Sequence, residues 1–216
     1  MNPILFLENV PKITIKSEIN DHCKTYGAKR VENDSKWYQK TRGGKPANVY
    51  SFWGYKCAEF AASQFLTESY NFPNKMPDTE IYQKNQKNWN ADLLYDDINF
   101  CNKQYNQLRV HVKSTSKKAI SDGYPESFMF QLSNRSGMGG MDKILTEGDE
   151  NDLIVMVYNP YSDVVEGDVE FHIRGMVPWT YAKKYLENPV APSLIGKKIC
   201  VYTETLNKSL TSQKAF

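Results

Sequence analysis

Residues Leu108–Ser114 alternate between apolar and polar side chains, and this stretch constrains the fold more than any other. Successive side chains of a β-strand point to opposite faces of the sheet. The apolar residues of this strand therefore share one face, and Arg109, His111 and Lys113 share the other. One face can be buried in a core while the other presents a row of polar groups.

A second short apolar run, at residues 91–95, precedes this strand and contains Asp92. A carboxylate flanked by apolar residues is costly to bury unless it meets a metal, a cation or hydrogen-bond donors. If the two runs pair in one sheet, Asp92 meets His111 and Lys113 at its surface. An acid, a histidine and a lysine placed together in this way are the layout of a metal-dependent phosphodiesterase site.

The other periodic segments predict an α/β, or α+β, domain with a central mixed β-sheet flanked by helices. Residues 51–69 have apolar positions at helical spacing, with Ser51 as a plausible N-cap, and residues 180–187 predict a short amphipathic helix. Residues 152–158 are apolar without alternation, which is typical of a central strand covered on both faces. The predicted strands are residues 91–95, 108–114, 127–132, 152–158, 168–175 and 197–203.

The expected domain organisation has three parts. Residues 1–50 are interpreted as an N-terminal extension with a strand-like stretch at 12–16 and a basic, aromatic loop at 36–50. Residues 51–206 form the expected core, and residues 207–216 form a C-terminal tail. Proline and glycine in the loop mark it as irregular.

Composition excludes several classes of protein. The chain has 216 residues, a formal net charge of +2, and four cysteines without a CxxC pair, which argues against a structural zinc site and a disulfide framework. No apolar run approaches the roughly 20 residues of a transmembrane helix. The first residues lack the features of a signal peptide, so we expect a cytoplasmic protein with no membrane partner.

These motifs resemble the PD-(D/E)xK nuclease superfamily, which has the restriction-endonuclease-like fold. Asp92 matches the family's first strand acid, and Lys113 in His111–Lys113 matches the family lysine. Glu59 matches a glutamate that the family often has on a preceding helix. Gln131 resembles a glutamine found after the lysine strand in many members. The resemblance covers about residues 51–206.

The resemblance implies a metal-dependent endodeoxyribonuclease that uses Mg²⁺ or Mn²⁺. Asp92, Glu59 and His111 would hold the metal, and Lys113 would position water or the scissile phosphate. Double-stranded DNA is the expected partner, and a homodimer is one arrangement in which such enzymes cut two strands. The expected nucleic-acid contacts are Lys117, Lys118, Arg42 and Lys45.

His111 departs from the family pattern, because Asp or Glu is expected two residues before the lysine. Imidazole is a poor ligand for magnesium and a better one for manganese. Three explanations stay open: His111 binds a softer ion or its water, a carboxylate such as Asp96, Asp97 or Glu59 fills the place, or catalysis has been lost. Direct ligation by His111 predicts stronger cleavage with manganese than with magnesium.

Two alternatives accompany the nuclease hypothesis. A catalytically inactive relative would bind nucleic acid or a protein partner without turnover, as the missing acid suggests. A structural or assembly protein with an α/β core would use its many aromatic residues at an interface.

Overall fold

The computed structural model describes residues 3–6, 8–38, 48–80, 91–132 and 141–213. Its centre is a six-stranded mixed sheet, and a two-stranded sheet packs beside it. The strands within these residues are β1 (Ile4–Leu5), β2 (Lys12–Ile15), β3 (Leu93–Phe100), β4 (Lys103–Ser116), β5 (Ser127–Gln131), β6 (Asp152–Asn159), β7 (Val169–Pro178) and β8 (Lys198–Tyr202). The helices are α1 (Ser17–Tyr38), α2 (Val49–Tyr70), α3 (Lys117–Ser121), α4 (Ile144–Glu147), α5 (Trp179–Ala182) and α6 (Thr203–Gln213), with short 3-10 turns at Lys183–Tyr185 and Pro192–Leu194.

The two runs that carry Asp92 and Lys113 do pair in one sheet. β3 and β4 form an antiparallel hairpin in which Leu93 lies opposite Val110. Its turn uses Cys101 and Asn102, both with positive φ, which is the geometry of a tight hairpin turn. β4 then runs parallel to β6, and β6 is antiparallel to β7, so the sheet is mixed as expected.

Strand β6 is covered on both faces. Leu153, Val155 and Val157 face the cluster that contains α2, while Ile154 and Met156 face the cluster built on β5 and β8. All five side chains are at most 2% exposed. The continuous apolar run at 152–158 is explained by this double coverage, and the prediction of a central strand is confirmed.

Helix α2 is the predicted helix, extended by two residues at its start. Its N-cap is Asn48, whose Oδ1 accepts a hydrogen bond from the backbone N of Ser51 at 2.9 Å, so the expected cap at Ser51 was placed three residues too late. The helix ends at Asn71 in the left-handed conformation. Ala58, Ala61 and other small residues line its buried face, which allows the helix to pack closely on the sheet.

The part of the expected N-terminal extension that the structure describes packs on the core, whereas most of the expected loop at 36–50 lies outside the described residues. β2 pairs with β7, and Ile13 and Ile15 are buried. Helix α1 packs on α2, and its buried Asn20 donates to the carbonyl of Gly167 at 2.7 Å and accepts from Nε1 of Trp53 at 2.6 Å. These contacts make the N-terminal segment part of the hydrophobic core.

The C-terminal region also differs from the expected organisation. Residues 207–213, expected as a tail, continue α6, which packs on β8, and Leu206 of this helix is buried. The predicted helix at 180–187 is instead the single turn of α5 followed by a 3-10 turn. Among the described helices, none has the length and apolar character needed to cross a membrane.

Candidate functional site

A cleft of about 760 Å³ lies where β4 extends beyond its partner strand β3. Leu93, the first residue of β3, pairs with Val110, and β4 continues to Ser116 beyond that pair. The extra length of β4 borders the cleft together with parts of α2, β5 and β8. The edge of the central sheet is thereby exposed to a cavity with both polar and apolar lining residues.

Four of the five residues predicted for the catalytic site line this cleft. They come from four separate elements: Glu59 from α2, Asp92 from the start of the β3 run, Lys113 from β4 and Gln131 from β5. Residues that are distant from one another in the chain thus border one cavity.

Asp92 is held at the mouth of the β3–β4 hairpin. Its backbone N donates to the carbonyl of Val110 at 3.0 Å, and its Oδ2 accepts from the backbone N of Val112 at 2.7 Å. The side chain is half-buried. A carboxylate has about four acceptor sites, so this hydrogen bond leaves capacity for a cation.

Glu59 forms an ion pair with a buried lysine on the same helix. Nζ of Lys56 lies 2.5 Å from Oε2 of Glu59 and 2.6 Å from the carbonyl oxygen of Asp78. Burial by itself lowers the pKa of Lys56, but Glu59 outweighs this and raises that pKa above its usual value. Lys56 was not among the predicted site residues, although its spacing of three residues from Glu59 places both on one helix face.

Lys113 is paired with Asp142, a residue that the sequence analysis did not single out. Nζ of Lys113 lies 2.8 Å from Oδ2 of Asp142 and 4.9 Å from the ring centroid of Phe130. The same Oδ2 accepts from the backbone N of Gln131 at 3.0 Å. Burial raises the pKa of Asp142, but Lys113 and this amide outweigh it and hold that pKa below its usual value. Asp142 thus lines the cleft together with Glu59, Asp92 and the exposed Asp122.

His111 does not line the cleft, which corrects its expected role as a metal ligand. It is 7% exposed, and its Nε2 lies 2.8 Å from Oδ1 of Asp152. Asp152 also accepts from Nε and Nη2 of Arg109 at 2.8 and 2.7 Å and from the backbone N of Asp149 at 2.7 Å. His111 is therefore part of a hydrogen-bonded network around the Arg109–Asp152 ion pair.

Asp152 is the centre of that network. Burial raises its pKa, but the hydrogen bonds from Arg109, His111 and the Asp149 amide outweigh burial and hold the pKa well below its usual range. Asp152 opens β6, directly beside Arg109 in the parallel register. Strand alternation correctly places His111 and Lys113 on one face, but it does not indicate that a neighbouring strand supplies an acid for His111.

The expected set of three metal ligands is not assembled. Within the part of the chain that the structure describes, no three His, Cys, Asp or Glu side chains are grouped to hold a metal ion. Magnesium is usually held by one or two carboxylates together with water and substrate phosphate. Glu59, Asp92 and Asp142, three of the four carboxylate residues that line the cleft, offer oxygen ligands that suit a hard divalent cation, but they are not grouped around one point as the resemblance implies.

The other candidates for the missing acid lie elsewhere. Asp96 and Asp97 are exposed on β3 and are not among the described residues that line the cleft. Oδ1 of Asp96 accepts from Nε2 of Gln107 at 3.0 Å. Of the three acids considered from sequence, only Glu59 reaches the cleft.

Two of the four expected nucleic-acid contacts can be placed. Lys118 is exposed at the rim of the cleft, and Lys117 is exposed beside it on α3 without lining the cleft. Arg42 and Lys45 lie outside the described residues. Lys198 of β8, which was not predicted, also lines the cleft.

Comparisons with protein-family models, with curated proteins and with solved structures found no match for this chain. The proposed function therefore rests on the chemistry of the cleft and on the residue pattern that predicted it.

Proposed function

We propose that this protein is a metal-dependent phosphodiesterase that cuts DNA, with the cleft at the β4 edge as its active site. The observation that carries the proposal is that Glu59, Asp92, Lys113 and Gln131 border one cavity. These residues were selected by a motif pattern alone, and they come from four separate elements that border the same cavity. A cavity that contains carboxylates as well as a lysine has the groups needed for metal-dependent hydrolysis of a phosphodiester.

The carboxylates and the lysine would have different roles in the reaction at the phosphate. Asp92, with Glu59 or Asp142, would hold Mg²⁺ or Mn²⁺, which supplies charge neutralisation and an acidic bound water. Lys113 offers a point charge for the scissile phosphate or a donor that orients the attacking water. Asp142 and the Phe130 ring fix the direction of that ammonium group.

Because His111 contacts Asp152, the reason for expecting a preference for manganese no longer applies. An imidazole whose Nε2 contacts Asp152 is not presented to the cleft. The remaining ligands are oxygen atoms, which magnesium prefers. We therefore expect magnesium to support cleavage at least as well as manganese.

Cleavage of supercoiled plasmid in magnesium, manganese or chelator tests the proposal, with Asp92→Asn beside Asp96→Asn. Both substitutions remove one negative charge near the β3–β4 hairpin, but only Asp92 lines the cleft. We expect metal-dependent nicking that is lost in Asp92→Asn and kept in Asp96→Asn. Equal activity of the two variants would remove Asp92 from the site.

A catalytically inactive relative is the second candidate, and one feature favours it. Glu59 is paired with Lys56 and Asp142 with Lys113, so two of the four cleft carboxylates are already neutralised by lysines. Such a protein would bind DNA in a salt-dependent way without turnover in either metal. Binding by folded protein without nicking under any condition would favour this alternative.

A further inference from the structure

Lys198 lies beside the proposed catalytic lysine without sharing its contacts. It opens β8, where it is paired in register with Gln131 of β5, and both residues line the cleft. Gln131 in turn donates its backbone N to Asp142, the partner of Lys113. Lys198 is therefore placed on the same side of the cleft as the Lys113–Asp142 ion pair.

The Nζ atom of Lys198 forms no hydrogen bond and no ion pair with the residues that the structure describes, whereas the Nζ atoms of Lys56 and Lys113 are both paired. Burial lowers the pKa of Lys198, and the charge of Lys113 lowers it further, against the opposing effect of Asp142. Lys113 and Lys198 thus both interact electrostatically with Asp142, but only Lys113 forms an ion pair with it. The charged form of a half-buried ammonium group that has no hydrogen-bonded partner is stabilised when an anion approaches it.

We propose that Lys198 is a phosphate-binding residue of this cleft, which contacts a backbone phosphate of the bound nucleic acid beside the group that Lys113 contacts. This inference rests on the proposed function for the identity of the ligand. The contact adds binding energy and fixes the position of the strand, and Lys198 is not assigned a part in bond breaking. The chemistry that it recognises is an exposed phosphate oxygen.

Lys197 provides a matched control in the same strand region. It is exposed, it is not among the described cleft residues, and its Nζ donates to the carbonyl of Ser193 at 2.9 Å. Removal of either lysine lowers the net charge by the same amount. A difference between the two variants therefore reports position and not overall charge.

The first test measures binding of a short fluorescent DNA duplex by anisotropy, in chelator and over a range of salt concentrations. We expect Lys198→Met to weaken binding at least about fivefold and to reduce the slope of log K against log salt by about 0.9, the value for one phosphate contact. Lys197→Met should leave both unchanged, and Lys198→Arg should keep the slope. Identical slopes for Lys198→Met and Lys197→Met would overturn the proposal.

A second test uses the wild-type protein, so that it does not depend on the folding of a variant. Inorganic pyrophosphate is titrated into protein with isotope-labelled lysine, and the Cε–Hε signals are followed by NMR. We expect the Lys198 signal to move at pyrophosphate concentrations that leave the Lys197 signal in place. Signals that do not move, or that all move together, would contradict a built phosphate site.

The two tests separate this inference from the proposed function. Pyrophosphate binding at Lys198 without DNA binding would support the anion site and contradict the proposed nucleic-acid function. DNA binding that is insensitive to Lys198→Met would remove the inference and keep the function. The absence of both kinds of binding would remove both.

Discussion

The Nζ atom of Lys113 lies 2.8 Å from Oδ2 of Asp142, a residue 29 positions further along the chain. The backbone N of Gln131 donates to the same oxygen at 3.0 Å, so the carboxylate is fixed from two directions. Lys113 is thereby paired with an acid from another segment, while His111, two residues before it, is bound to Asp152. We interpret Asp142 as the acid that takes the place left by His111.

Asp142→Asn tests this interpretation. Loss of the negative charge removes the ion pair that directs Lys113, and we expect cleavage to fall by about tenfold to a hundredfold, as for other residues that position a reacting group. Initial rates of plasmid nicking at saturating magnesium measure the effect.

Asp168→Asn is the matched control for this change. Asp168 also accepts from a lysine Nζ and a backbone N, those of Lys16 and Ser17, each at 2.8 Å, but it is exposed and is not among the described residues that line the cleft. Its substitution should leave the rate unchanged. Equal losses in the two variants would show that Asp142 has no special role.

His111→Gln should not change the choice of metal. Since His111 contacts Asp152 and does not border the cleft, the ratio of cleavage rates in manganese and magnesium should stay at its wild-type value, even if stability falls. The measurement is the rate ratio under matched conditions for both proteins. A manganese advantage in the wild type that disappears in His111→Gln would restore His111 as a ligand.

Asp152→Asn should destabilise the fold. The substitution leaves the Arg109 guanidinium and the His111 ring without their charged partner in a largely buried setting. We expect a loss of about 3 kcal/mol in the free energy of unfolding, measured by chemical denaturation at pH 7. Asp21→Asn removes an exposed carboxylate that pairs with Lys24 and should cost no more than about 0.5 kcal/mol.

The same carboxylate predicts a dependence of stability on pH. Its pKa in the folded protein lies well below the usual value of about 3.9, so the unfolded chain binds a proton first as the pH falls. The stabilisation by Asp152 is complete above about pH 4 and is lost as the pH falls toward the folded pKa. Unfolding curves between pH 2 and pH 6 should show a shallower acid-side slope for Asp152→Asn, and parallel slopes would contradict the network.

Ile15→Ala tests whether the N-terminal segment belongs to the core. Ile15 is fully buried in β2 where that strand pairs with β7, so we expect a loss of about 2–5 kcal/mol in the free energy of unfolding. Thr14→Ala changes an exposed residue of the same strand and should cost less than about 1 kcal/mol. Similar values for both variants would indicate a loosely attached segment.

Strand patterns gave correct predictions where burial follows directly from side-chain alternation. The run at 152–158 is apolar because both of its faces are covered, and Asp92 meets Val112 because the two predicted strands pair. Helix α2 was recognisable because its apolar residues repeat at helical spacing. In each case the physical cause acts within a few residues of chain.

Other contacts could not be predicted, because they depend on which segments meet. Asp142 has no local motif and is identified only by its contact with Lys113, which is distant in the chain. The role of α1 was missed because its residues are mostly polar, and its burial depends on a few positions such as Cys23 and Asn20. His111 was assigned the correct face, but its partner comes from β6.

The most direct test of the central claim is nicking of supercoiled plasmid by wild type, Lys113→Met and Lys184→Met, each with magnesium and with chelator. Lys184 is an exposed lysine outside the described cleft residues, so its substitution controls for the lost charge. The proposed site predicts magnesium-dependent nicking that Lys184→Met retains and Lys113→Met loses. Nicking that persists in folded Lys113→Met, or that is absent from wild type in every metal, would contradict a phosphodiesterase site at this cleft.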